Sequence, residues 1–85
     1  MRKEEIKKNV IEILKDIDPA AEFDEETDLL EEILDSMGIV YLLAELMGRV
    51  HIEIPMTEVT ALNFSTVNSI VELAEKYDIG ENKKE

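Results

Sequence analysis

The apolar residues of this chain recur with a helical period, and little else in the sequence competes with that pattern. Ile6, Val10, Ile13, Leu14 and Ile17 form one stripe of an amphipathic helix over residues 3–17. Asp18-Pro19 stops it, because the residue before a proline is biased away from helical dihedrals. A second apolar run starts at Ser36 and ends at Val50. A third, with Val67, Ile70, Val71, Leu73 and Ala74 inward, marks a last helix from Thr66 to Tyr77, capped by Ser65 or Thr66. Period-2 alternation is confined to "VHIEI", too short for a sheet. The expected fold is all-α: a small four-helix bundle with three main helices, one short helical turn at 57–62, and a long first loop. That loop runs from Asp18 to Asp35, with Phe23, Leu29, Leu30, Ile33 and Leu34 as its anchors in the core. At 85 residues the chain is long enough for one domain. Residues 1–78 are assigned to it, and 79–85, with the polar end "GENKKE", to a flexible tail.

Charge and composition narrow the function classes. The net charge is −12, from 9 basic and 21 acidic residues. Such a polyanion repels nucleic acids and anionic membranes and favours partners with basic patches. Nine acids and no base lie between Asp18 and Asp35; such a run keeps the chain soluble and can also steer a basic enzyme. There is no cysteine, which excludes disulfides, thiolate metal sites and a cysteine nucleophile. No segment reaches the roughly 18 apolar residues of a membrane span, so no membrane insertion is expected. The start, "MRKEEIKK", lacks the apolar stretch of a signal peptide, and the expected location is cytoplasmic.

The second helix has two apolar faces. At about 100° per residue, Ile39, Leu42, Leu43, Leu46 and Val50 share the sector expected to face the core. Met37, Val40, Tyr41, Ala44, Met47 and Gly48 share another that carries no charge, with Glu45 and Arg49 on the border. A second apolar stripe means either burial all round or a protein-binding surface. Methionines suit the latter, since a flexible thioether adapts to its partner.

Ser36 stands between an acid and this apolar run. It is well placed to cap the helix, although Asp35 can do the same and Ile39 stands where a capping box needs Glu or Gln. A nucleophilic serine needs a base held in place. The lone histidine, His51, lies fifteen residues on, about 22 Å along a helix. Asp24, Glu26, Asp28 and Asp35 imitate a calcium loop in spacing, but Leu29 occupies the position that requires glycine. No catalytic constellation is present, and no enzyme activity is expected. A serine at a helix N-terminus also suits attachment of a phosphate group, which the first-turn N–H groups and the helix dipole favour. Cap and attachment point both stay open on these grounds.

The stretch "LLEEILDSMGIVYLLAELMGRVHIEIP" closely resembles the signature of the acyl carrier and peptidyl carrier protein family. The resemblance lies in the leucine-rich lead-in, Asp35-Ser36 followed by Met37, the helix-period aliphatics, and Ile54-Pro55. It implies a right-turning bundle of four helices with 4′-phosphopantetheine, taken from coenzyme A, on Ser36. The arm's thiol would hold an acyl or aminoacyl group as a thioester. Asp35 would help a phosphopantetheinyl transferase recognise the site. The second helix would dock partners through Met37, Val40, Tyr41, Ala44 and Met47. Implied partners are that transferase, a loading ligase and a downstream transferase, met by a monomer. "LDSMG" and "IPMTEVTALNFSTVNSI" resemble the D-alanyl carrier proteins, with Glu58, Phe64, Thr66, Asn68 and Ile70 at matching positions. Val59 and Val67 replace a usual aromatic and a common proline. Glu45 alone supplies a carboxylate where fatty-acid carriers look acidic. The reading leans to a D-alanyl-type aminoacyl carrier. The alternatives are an acyl carrier for fatty-acid or polyketide-like synthesis, its cleft lined by Leu42, Leu46, Val59 and Leu62, and a cofactor-free acidic adaptor that uses the same helix face.

Overall fold

The computed structural model describes residues 2–78. They form α1 (Arg2–Ile17), α2 (Leu29–Glu32), α3 (Ser36–Val50), a 3₁₀ turn (Met56–Glu58) and α4 (Val67–Lys76), with no strand among them. The tail assigned to 79–85 lies outside the described residues.

The three long helices begin and end where the periodicity and the breakers put them. α1 stops at Ile17, ahead of Asp18-Pro19. α4 is capped by Thr66, whose hydroxyl accepts from the Ser69 N–H at 3.1 Å, so Thr66 rather than Ser65 takes that role. α1 packs against both α3 and α4. Ile6, Val10, Ile13 and Leu14 from α1 meet Leu42, Leu46 and Val50 from α3 and Val67, Ile70, Val71, Leu73 and Ala74 from α4 in one buried cluster. Ile39 and Leu43, expected inside, are only partly buried at its edge.

Two expectations about the connections are corrected. The long first loop contains a helical turn, α2. Asp28 caps it through the Glu31 N–H, Leu29 is fully buried, and the Leu29 N–H donates to the Ser65 carbonyl at 2.7 Å. Four residues are too few to show a helical stripe in sequence. The short turn expected at 57–62 is instead the 3₁₀ turn at Met56–Glu58, followed by a separate turn closed by the Phe64 N–H on the Thr60 carbonyl at 3.1 Å. Phe64 is fully buried and sets this second turn, whereas Leu62 is 79% exposed. Of the residues named for an acyl cleft, Leu42 and Leu46 are sealed in the core, Val59 is partly buried against it and Leu62 faces solvent.

Polar contacts pin what the core does not cover. Lys7 pairs with Glu25 at 2.6 Å and Asn68 donates to Glu26 at 2.9 Å, tying the acidic loop to α1 and α4. Arg2 bonds both carboxylate oxygens of the buried Asp78 and the Val50 carbonyl, joining the start of α1 to the ends of α3 and α4. Arg49 reaches Glu45 on its own helix and Glu12 and Asp16 on α1.

Candidate functional site

The site is built around the start of α3. Asp35 is the N-cap: its backbone is extended, and its carboxylate accepts from the Gly38 N–H at 2.8 Å. Its carbonyl accepts the first helical bond, from the Ile39 N–H at 2.9 Å. Ser36 is therefore the first helical residue and not the cap. It is exposed, and its hydroxyl makes no hydrogen bond among the described residues. The sequence left the capping role open between the two residues; the structure gives it to Asp35.

Gly38 has a specific reason to be glycine. It is buried, and a Cβ there would lie 3.2 Å from Leu34 Cδ2 and 3.4 Å from Asp35 Oδ1. Leu34, itself in the core, needs that room. A groove of about 440 Å³ lies beside this turn, lined by Asp16, Ile17, Asp35, Met37, Gly38 and Tyr41.

The uncharged face of α3 continues from Ser36 along the helix. Met37 is 74% exposed and Val40 51%, and Tyr41, Ala44 and Met47 are also open to solvent. The second apolar stripe is thus a surface and not a buried face. Met56, 67% exposed, extends it onto the 3₁₀ turn. A groove of about 280 Å³ lined by Val40, Leu43, Ala44, Met47, Glu53, Ile54 and Met56 runs between the two. Near the far end of the helix, Met47, His51, Glu53, Pro55 and Tyr77 line a larger one of about 440 Å³.

Charge is arranged to leave this face bare. Glu45, the acid expected at the border, is bound by Arg49 at 2.9 Å, and the carboxylates beside it hold the Arg49 guanidinium more firmly protonated than usual. A glutamate four residues before an arginine is legible in sequence; the reach of Arg49 across to Glu12 and Asp16 is not. His51 is exposed and terminates α3 in the left-handed region at φ 60°, its N–H bonded to the Leu46 and Met47 carbonyls. It is far from a general base for Ser36 and acts as the helix stop. The calcium-like spacing comes to nothing among the described residues, where no group of three His, Cys, Asp or Glu is placed to hold a metal ion. Asp24 instead closes a local turn. The Glu26 N–H and the Thr27 hydroxyl bond its carboxylate and hold it below its usual range. Beside the far groove the Tyr77 hydroxyl donates to Glu58, a bond that raises the phenol's pKa, and Asn63 donates to the same glutamate at 3.2 Å.

The chain is similar to known proteins along most of its length. A family model described as a phosphopantetheine attachment site matches residues 4–74. The D-alanyl carrier protein of Streptococcus sanguinis (strain SK36) is 35% identical over 74 residues, 80% of this chain and 89% of its own length. That of Latilactobacillus sakei subsp. sakei (strain 23K) is 35% identical over 75 residues, 85% of this chain and 96% of its own. The D-alanyl carrier protein of Streptococcus gordonii (strain Challis) is 34% identical over 74 residues, with the same coverage as the first. With an exposed serine at the start of α3 and these relatives matched along nearly their whole length, the chain belongs to the phosphopantetheine carrier family, in its D-alanyl carrier protein branch.

Proposed function

We propose that Ser36 is the attachment point of the 4′-phosphopantetheine group that this family carries, and that the cargo held on it is a D-alanyl group. The observation behind the site is the free hydroxyl of Ser36 at the first helical position, with Asp35 occupying the cap that a serine would otherwise take. The residues fit the group. Of the four N–H groups that a helix start leaves without a helical partner, the Gly38 N–H is bound by Asp35. Those of Ser36 and Met37 remain to face a phosphodiester, which the helix dipole also favours. When attached, the group supplies a thiol, which a chain without cysteine otherwise lacks. The chain's own part is to present the serine, carry the arm beside an uncharged helix face and offer that face to enzymes. Catalysis belongs to those enzymes.

The D-alanyl cargo is supported by the relatives' names and by the fold. Of the residues suggested for an acyl-chain cleft, Leu42 and Leu46 are sealed in the core, Val59 is partly buried and Leu62 is turned to solvent. A small aminoacyl group needs no such cleft. The partners are a phosphopantetheinyl transferase, a ligase that activates D-alanine and a transferase that takes the D-alanyl group onward. Met37, Val40, Tyr41, Ala44 and Met47 are the surface they contact. The protein acts as a monomer in the cytoplasm, in keeping with a structure whose described helices include none long and apolar enough to cross a membrane. Its test is loading of the phosphopantetheine-bearing protein with D-alanine, ATP and a D-alanine-activating ligase, followed by intact mass. One hydroxylamine-labile D-alanyl group per chain is expected. Loading by a fatty-acid-activating ligase but not by this one would replace the cargo reading with the acyl-carrier one.

A further inference from the structure

The cap and the free hydroxyl belong to adjacent residues, and serine caps helices about as well as aspartate does. Something must therefore keep Ser36 from taking the cap itself. Asp35 already holds the N–H that a cap at that position satisfies, 2.8 Å away on Gly38. Gly38 leaves space for this, since a Cβ there would crowd Leu34 Cδ2 at 3.2 Å and would stand in contact with the capping carboxylate at 3.4 Å. Leu34 is packed in the core at 4% exposure and has little freedom to yield.

We infer that Asp35 acts on Ser36 through the helix cap: by holding that position, with the room Gly38 provides, it keeps the serine helical and its hydroxyl oxygen unbonded. This rests on the attachment reading above. Without an acceptor at position 35, the helix start moves by one residue. Ser36 becomes the cap, its backbone turns extended, and its oxygen accepts from the Ile39 N–H, which in the present structure is bonded to the Asp35 carbonyl at 2.9 Å. That bond occupies one of the oxygen's two lone pairs and holds it turned over the helix end, out of position for the attachment step. In that step the bond from Ser36 Oγ to phosphorus forms and the pyrophosphate P–O bond of coenzyme A breaks. The adenine-nucleotide half leaves with the electron pair, and the hydroxyl proton passes to a base of the transferase. Asp35 is then a positioning residue, in a role separable from recognition of its charge.

Asparagine caps but carries no charge, whereas glutamate carries the charge but is a poor cap. The experiment uses the unmodified full chain as wild type and as Asp35→Asn, Asp35→Glu and Asp35→Ala, each shown folded by thermal melting. One readout is the rate of modification by a phosphopantetheinyl transferase with coenzyme A. The other is the backbone chemical shifts of residues 34–40. Asp35→Asn should keep its rate within about threefold of wild type, and Asp35→Glu and Asp35→Ala should lose about tenfold as the cap passes to Ser36. The Ser36 shifts should stay helical in the asparagine variant and become extended in the alanine variant. Any other order of rates overturns the inference, above all a fast glutamate and a slow asparagine variant, which would assign Asp35 to charge recognition. A Ser36 that remains helical in Asp35→Ala overturns it as well. A wild type that is itself never modified defeats the attachment reading instead, and the chemical shifts then decide the cap by themselves.

Discussion

Ser36 and Asp35 exchange the roles that residue preference alone would allow. Since Asp35 supplies the cap and the Ser36 hydroxyl is unbonded, Ser36→Ala should change stability by no more than about 0.5 kcal/mol, as for a surface site without special contacts. Asp35→Ala, in which Ser36 takes over the cap, should cost less than the roughly 1 kcal/mol of a cap lost outright. Chemical denaturation of the two variants checks both, and a larger loss for Ser36→Ala would return the cap to the serine. His51 is the other residue whose role depends on backbone conformation. At φ 60° it holds a left-handed position that glycine enters without the strain a side chain meets. His51→Gly should raise stability by up to about 1 kcal/mol. Nothing in composition marks a histidine that ends a helix in this way.

At the scale of elements, long-period patterns were legible and short ones were not. α3 spans Ser36–Val50 as its apolar run indicated, and all five inward residues proposed for the last helix are buried. α2 and the 3₁₀ turn are too short to carry a period. They depend on contacts that sequence does not display: the Leu29 N–H on the Ser65 carbonyl, and the burial of Phe64 beside an exposed Leu62. The turn after α3 is held to α4 by the Tyr77 hydroxyl on Glu58. That bond, with desolvation and the nearby negative charge following, raises the Tyr77 pKa above the ordinary 10.0. The folded state thus favours the protonated phenol. Its contribution is complete below the unfolded value of about 10 and is lost as pH rises through the raised folded value. The stability gap between wild type and Tyr77→Phe should be constant from about pH 7 to 9 and shrink at higher pH. Thermal melts of the pair across that range measure it, and a gap that widened with pH would contradict the assignment.

Across the whole molecule, one small core supports a surface in which acids outnumber bases and one helix face is left uncharged. Ile70 is fully buried within that core, and Ile70→Ala should cost about 2–5 kcal/mol, enough to threaten a domain of this size. The charge of −12 was readable from composition. Its distribution around α3 was not, because Arg49 gathers three carboxylates from two helices beside the uncharged face. The exposure of Met37, Val40, Tyr41 and Met47 agrees with the choice of a surface over full burial, which periodicity had left open. An acidic body with one bare apolar face suits brief docking in which charge governs encounter and apolar contact governs fit. The measurement that decides whether Ser36 is what this body carries is intact mass with peptide mapping, after incubation with coenzyme A, magnesium and a broad-specificity phosphopantetheinyl transferase. Wild type should gain one phosphopantetheine on the peptide containing Ser36, and folded Ser36→Ala should gain none. An unchanged wild type beside a modified control carrier, or a Ser36→Ala variant that still gains the group, would contradict it.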